Sequence, residues 1–163
     1  MILIPHMILI PHINLAVPAH ARDIAVMSRE YIEYGLGWSW THARVLRAIS
    51  DESTNVAVVR EQDTMLGFGI MRYGDRRAHL VLLAVHLGHR NRGLGAMLLA
   101  WLEKCAVTAG LEHIQVEARV DNQPALSFYQ SQGYQQQGIV PGYYSGIIDA
   151  VRFQKNLFSG PNG

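Results

Sequence analysis

A chain of 163 residues, 49% of them hydrophobic, is long enough to bury one substantial core and too short to expect two. Its formal net charge of +1, with no run of Lys or Arg, disfavours nucleic acid and other polyanions as partners. A single cysteine excludes an internal disulfide and suits a cytoplasmic address, and no apolar run reaches the ~18 residues that cross a bilayer, so no membrane association is expected.

The hexapeptide Met-Ile-Leu-Ile-Pro-His at 1–6 returns letter for letter at 7–12. It has neither the basic leader nor the small-residue cleavage site of a signal peptide. Residues 1–12 therefore read as a duplicated start, with Met7 opening the functional protein; an apolar flap packed on a neighbouring subunit is the other use of such a segment. His6 and His12 have no further ligands at metal spacing, so no metal is expected. One domain then spans 13–157, and 158–163 read as a frayed tail.

Within the domain, residues 13–17 alternate and stop at Pro18, a short first strand. Ile24, Met27, Ser28, Tyr31 and Ile32 recur at helical spacing over 21–34, and Gly35 and Gly37 close that helix. Thr41 caps a second helix over 42–49. Trp38 and Trp40, in the connection, read either as loop anchors or as the wall of a substrate site. Strands at 55–60 and 65–73 follow, and Gly74-Asp75 turns the chain into a third at 79–85, whose nearly unbroken apolar run suits a strand buried on both faces.

After that strand come Arg90, Asn91, Arg92, Gly93, Leu94, Gly95 and Ala96, and then a helix with Leu94, Met97, Leu98, Trp101, Leu102, Cys105 and Ala106 on one stripe, ending at Gly110. Cys105 reads as a small core residue. A helix N-terminus offers unpaired N–H groups and partial positive charge, the glycines let a diphosphate approach the backbone, and Arg90 and Arg92 add full charges. No Gly-Lys-Ser/Thr closes the loop and the G-x-G-x-x-G spacing is absent, which excludes the Walker and Rossmann readings. The pattern Arg90-x-x-Gly93-x-Gly95-Ala96 behind an apolar strand resembles the acetyl-CoA signature of the GNAT superfamily of N-acetyltransferases. That resemblance implies acetyl-CoA as acyl donor.

Residues 113–120 alternate, with Ile114, Val116, Ala118 and Val120 on one side and Gln115, Glu117 and Arg119 on the other, so the polar side is expected to line a cleft. A helix follows from Asn122 to Gly133, then strands at 135–140 and 147–153 around a turn at 141–146. The order βααβββαβαββ, an α/β mixed sheet, resembles the GNAT fold over about 13–157. Asn122-x-x-Ala125-x-x-x-Tyr129-x-x-x-Gly133-Tyr134 resembles the superfamily's second signature. The resemblance implies a mostly antiparallel sheet with splayed central strands.

Moving an acetyl group from a thioester to an amine requires a proton acceptor, an N–H donor for the oxyanion and a proton for the thiolate. By resemblance, Tyr129 is the general acid, Asn122 bonds the pantetheine arm, and backbone N–H groups at Ala84 and Val85 polarise the carbonyl. Glu117 is the base candidate, directly or through water; the competing reading is a surface ion pair with Arg119. His86 and His89 are expected to face solvent or phosphate. Tyr143 and Tyr144, followed by Asp149-Ala150, resemble the Tyr-Tyr…Asp-Ala pattern of the ribosomal-protein alanine N-acetyltransferases and N-terminal acetyltransferases, with Ile148 where an acidic residue usually stands. They read as substrate wall or as hairpin packing. The expected activity is acetylation of a protein or peptide α-amine by a monomer or homodimer. A small-molecule amine acetyltransferase (polyamine, amino acid or antibiotic) and a non-catalytic acyl-CoA-binding module are the alternatives.

Overall fold

The computed structural model describes residues 11–158. The repeated hexapeptide up to residue 10, His6 with it, and the tail from residue 159 lie outside the described residues, as do the expectations placed on them. The chain runs β1 (His12–Leu15), α1 (Ala21–Tyr31), α2 (His42–Ser50), β2 (Thr54–Glu61), β3 (Thr64–Tyr73), β4 (Arg77–Val85), α3 (Leu94–Thr108), β5 (His113–Arg119), α4 (Gln123–Ser131), β6 (Gln135–Tyr144) and β7 (Ile148–Asn156). The expected order βααβββαβαββ is the observed one. One seven-stranded sheet, ordered β1-β2-β3-β4-β5-β7-β6, is antiparallel at every pairing except β4 with β5.

Helices cover both faces of this sheet, so its central strands must be apolar on both sides. On one face Leu94, Leu98, Leu99 and Leu102 of α3 and Tyr129 of α4 pack on Ala78, Leu80, Ile114, Val116 and Phe153. On the other, Ile24 and Ala25 of α1 and Val45 of α2 pack on Val58, Phe68, Ile70, Leu82 and Ala84. Leu80 and Leu82 face opposite cores although they are two apart, because β4 carries one extra residue there: the register passes from Ile70↔Leu82 to Met71↔Leu80 and leaves Val81 over. Among the described residues no helix is long and apolar enough to cross a membrane.

Two elements depart from the sequence reading. The first helix ends at Tyr31 rather than at 34 because Glu33 turns inward, where its carboxylate accepts bonds from the Ser28 hydroxyl, the Ser39 hydroxyl and N–H, and the Trp40 N–H. The closing turn is shorter than the 141–146 expected and takes only the end of that range. Pro141 and Gly142 sit inside β6 as an irregularity in which the Gly142 N–H donates to Asp149 Oδ1 (2.9 Å), and the chain reverses at Ser145-Gly146, both at positive φ. That shift puts Tyr143 and Tyr144 on a strand.

Candidate functional site

The site begins where β4 and β5 part. They pair in parallel only from Arg77↔His113 to Leu80↔Val116, and beyond that point the second half of β4 has no β5 partner. Two cavities occupy the opening. The larger, about 420 Å³, lies against the start of α3 and the side of α4; the smaller, about 50 Å³, lies between Leu80–Leu83 and Val116–Arg119. Ile32, Leu83, Asn122, Ala125 and Tyr129 line both, so the two spaces meet at Tyr129.

Ala84, Val85, Arg90, Asn91, Gly93, Leu94, Gly95, Ala96 and Asn122, all expected from the sequence, line the larger cavity. Gly93 precedes α3 at φ 76°, a left-handed conformation that glycine takes without strain, and no side chain caps that helix end. The Arg90 Nε donates to the Val85 carbonyl (3.2 Å), which holds its guanidinium 5.2 Å from the Tyr31 ring. Arg92 departs from expectation: it is not in the cavity wall, because the Glu61 carboxylate at the end of β2 holds it at 2.7 Å and His89 Nδ1 lies 2.9 Å from its other nitrogen. His89 lines the cavity, whereas His86 turns its Nδ1 to the Gly88 N–H. The Asn122 Oδ1 accepts from the Ala125 N–H, so this residue caps α4 as well as bordering both cavities.

Tyr129 is 6% exposed, with its ring against Phe128, Tyr134 and Phe153. Among the described residues its hydroxyl has no hydrogen-bond partner. Burial, and then the charge of Glu117, push that hydroxyl well above its ordinary value, so it stays protonated.

Glu117 is buried, and both its oxygens are occupied. Oε1 accepts from Gln115 Nε2 (2.7 Å) and Arg152 Nε (2.9 Å), while Oε2 lies 2.6 Å from His79 Nε2 and 3.4 Å from the Tyr143 hydroxyl, which donates to it. Burial alone would raise its pKa, but the bond and charge of His79 and the bonds from Arg152 and Gln115 outweigh it and hold the carboxyl at about 2. A carboxylate so held is a weak direct base. The ion pair with Arg119 is absent: Arg119 pairs with Asp121 (3.0 Å), donates to the Ile32 and Tyr34 carbonyls, and lies over the Tyr34 ring. Sequence reasoning missed His79 and Arg152. His79 is a polar residue inside an apolar strand and Arg152 one of several polar residues of β7, and only the parallel β4–β5 register and the β5–β7 pairing bring them to Glu117.

Of the expected acceptor wall, Tyr144 lines the smaller cavity and bonds the Glu117 carbonyl with its hydroxyl (3.2 Å), while Tyr143 reaches the carboxylate. Burial first, and the Glu117 charge second, push Tyr143 up to about 12. Trp40 is 6% exposed and packed with α1 and α2 in the core, which makes it the loop anchor of the two readings rather than a wall. Trp38 is 41% exposed with the Arg29 guanidinium 5.0 Å from its ring, and neither tryptophan lines the two cavities.

The model of the acetyltransferase (GNAT) family matches residues 24–134. An N-alpha-acetyltransferase of Saccharolobus solfataricus is 32% identical over 83 residues, half of this chain and half of the relative (50% each). Three curated relatives at 32–36% identity are spanned by this chain over 30%, 53% and 50% of their own length. The ribosomal-protein-S18-alanine N-acetyltransferase of Escherichia coli superposes with a TM-score of 0.75 at 22% identity, over 94% of this chain and 99% of that one. The PaiA N-acetyltransferase of Thermoplasma acidophilum, solved in complex with coenzyme A, superposes with a TM-score of 0.76 at 16% identity, over 90% and 98%. At these identities both structures bear on the fold.

Proposed function

This chain belongs to the acetyltransferase (GNAT) family, and from that premise we propose that it moves the acetyl group of acetyl-CoA to the α-amine of a protein or peptide. The observation that carries this reading is the meeting of the two cavities at Tyr129: a thioester laid along the larger one reaches an amine entering through the smaller one. The diphosphate lies at the amides of Gly93, Leu94, Gly95 and Ala96 with Arg90 beside it, and Asn122 faces the pantetheine arm. The half of β4 that β5 leaves, still paired with β3 on its other edge, offers a backbone N–H at Ala84 or Val85 to the carbonyl oxygen.

The acceptor ammonium passes its proton towards the His79–Glu117 pair. Glu117, held at about 2, is too weak a base to take it alone, and the His79 imidazole 2.6 Å from its Oε2 is the second proton-carrying group of the pair, with the carboxylate placed to stabilise the charge. The neutral nitrogen then bonds to the carbonyl carbon, the carbon–sulfur bond breaks, the Tyr129 hydroxyl gives its proton to the thiolate, and the proton that the nitrogen sheds as the amide forms restores the tyrosine. A modest proton acceptor favours a weakly basic amine: at pH 7 an N-terminal amine of pKa about 7.7–8 is neutral roughly 10–20% of the time, and a lysine amine near 10.4 less than about 0.1%. The relatives named for N-alpha and alanine acetylation support the same acceptor.

Thiol release from acetyl-CoA, measured over a panel of peptides with free N-termini, lysine peptides with blocked N-termini, polyamines, amino acids and aminoglycosides, tests the reading. The expected outcome is turnover with free N-termini. Turnover confined to a small amine, or acetyl-CoA binding without turnover on any member, would overturn it.

A further inference from the structure

Three arginines surround the acceptor side of the site, and only one of them is neutralised there. Strand register sets them on one face: Arg72 of β3 is opposite His79, His79 is opposite Gln115, and Arg152 of β7 is opposite Glu117. Tyr143 stands over this row with its hydroxyl on Glu117 and 38% of its surface exposed. Arg44 approaches from α2, its guanidinium 3.9 Å from the centre of the Trp40 ring, which limits the freedom it loses on binding an anion. Burial and the neighbouring Arg72 charge push Arg44 below its usual value, and both Arg72 and Arg152 act on the Tyr143 hydroxyl, so these groups share one field.

No carboxylate among the described residues is in direct contact with Arg44 or Arg72. Among the described residues neither is in an ion pair. Glu117 is filled by Gln115, His79, Arg152 and Tyr143; Glu33, whose charge reaches Arg44, is filled by Ser28, Ser39 and Trp40; Asp51, whose pKa Arg72 lowers, is held by Ser53 and Thr54. Two strand spacings of about 4.8 Å and two residue rises of about 3.3 Å set the Arg72 backbone roughly 12 Å from that of Glu117. An extended peptide with its amine at the His79–Glu117 pair brings the side chains of its second and third residues within reach of the two guanidinium groups.

We propose that the preferred acceptor is an acidic N-terminus, with Asp or Glu at its second or third residue held by Arg44 and Arg72. This rests on the peptide α-amine reading above and names its specificity. Carboxylate recognition by planar guanidinium groups is strong when geometry permits two parallel bonds, and it raises capture rates at low salt.

The test compares kcat/KM by thiol release for peptides of equal length that share their first residue and carry Asp-Glu, Gln-Gln or Lys-Lys next, at ionic strengths of about 0.05 and about 0.5 M. The acidic peptide is expected to exceed the neutral one by at least about tenfold at low salt, mainly through KM, and the ratio falls at high salt. Arg44→Gln and Arg72→Gln, each checked for coenzyme A binding by calorimetry, are expected to narrow the acidic-to-neutral ratio at least about threefold. Equal rates for the three peptides, a preference for Lys-Lys, or an unchanged ratio in both variants overturns the proposal. Preference for a free acidic amino acid over every peptide keeps the carboxylate chemistry and overturns the peptide source. Failure of all three peptides overturns this proposal together with the reading it rests on, whereas equal rates overturn the specificity alone.

Discussion

Glu117 is the residue at which stability and chemistry meet, and replacing it with Gln separates them. Its folded carboxyl, at about 2 against an ordinary 4.5, stores about 3 kcal/mol at about 1.4 kcal/mol per pH unit, as an order of magnitude. Because the folded value is the lower one, this stabilisation is fully present above about pH 4.5, declines as the pH falls, and is gone below about 2. Near pH 3 about 2 kcal/mol of it is lost, which for a domain of this size lowers Tm by roughly 4–8 °C. Other carboxylates titrate in the same window, so the informative quantity is the difference between two proteins. Calorimetric melts of the wild type and Glu117→Gln at about pH 6 and about pH 3 should give a Tm drop larger in the wild type by that margin. The variant should start from a lower Tm, since Gln can no longer accept the charged bonds of His79 and Arg152. Tm values that fall in parallel would refute the claim that four donors pin this carboxylate.

Arg90→Ala and Arg92→Ala should differ: the first weakens coenzyme A binding by at least about fivefold, while the second, already engaged by Glu61, changes it by less than about threefold, as calorimetry would read. Gly67→Ala should destabilise by about 1–3 kcal/mol in urea melts, because its new methyl would lie 2.7 Å from the Ala84 carbonyl oxygen and 3.3 Å from the Val85 Cα. The same change displaces the segment of β4 to which the proposed function assigns the carbonyl oxygen, so turnover should fall along with stability.

What was legible in the sequence is what neighbours in the chain decide. The apolar run of β4, the Gly93-x-Gly95 start of α3 and the Asn122 cap each write their structure within a few residues, and the cavity lining from Arg90 to Ala96 followed with one exception. That exception, Arg92, is drawn off by Glu61, 31 positions earlier, through the placement of β2 beside the cavity. His79 and Glu117 are 38 positions apart and meet because β4 and β5 run parallel with a register no local pattern encodes. Glu33 shortened a helix whose apolar spacing continued past it, since a buried carboxylate must find donors and these lay at Ser39 and Trp40. The same turn carried Trp40 inward and made it the platform for Arg44.

The central claim is that a thioester and an α-amine meet at Tyr129. Its most direct test is tandem mass spectrometry of a peptide carrying both a free N-terminus and an internal lysine, incubated with acetyl-CoA and either the wild type or Tyr129→Phe. The account predicts one acetyl group on the α-nitrogen with the wild type, formed at least about tenfold more slowly by a variant that still binds coenzyme A. Acetylation of the lysine in place of the N-terminus, or an undiminished rate in Tyr129→Phe, would contradict it.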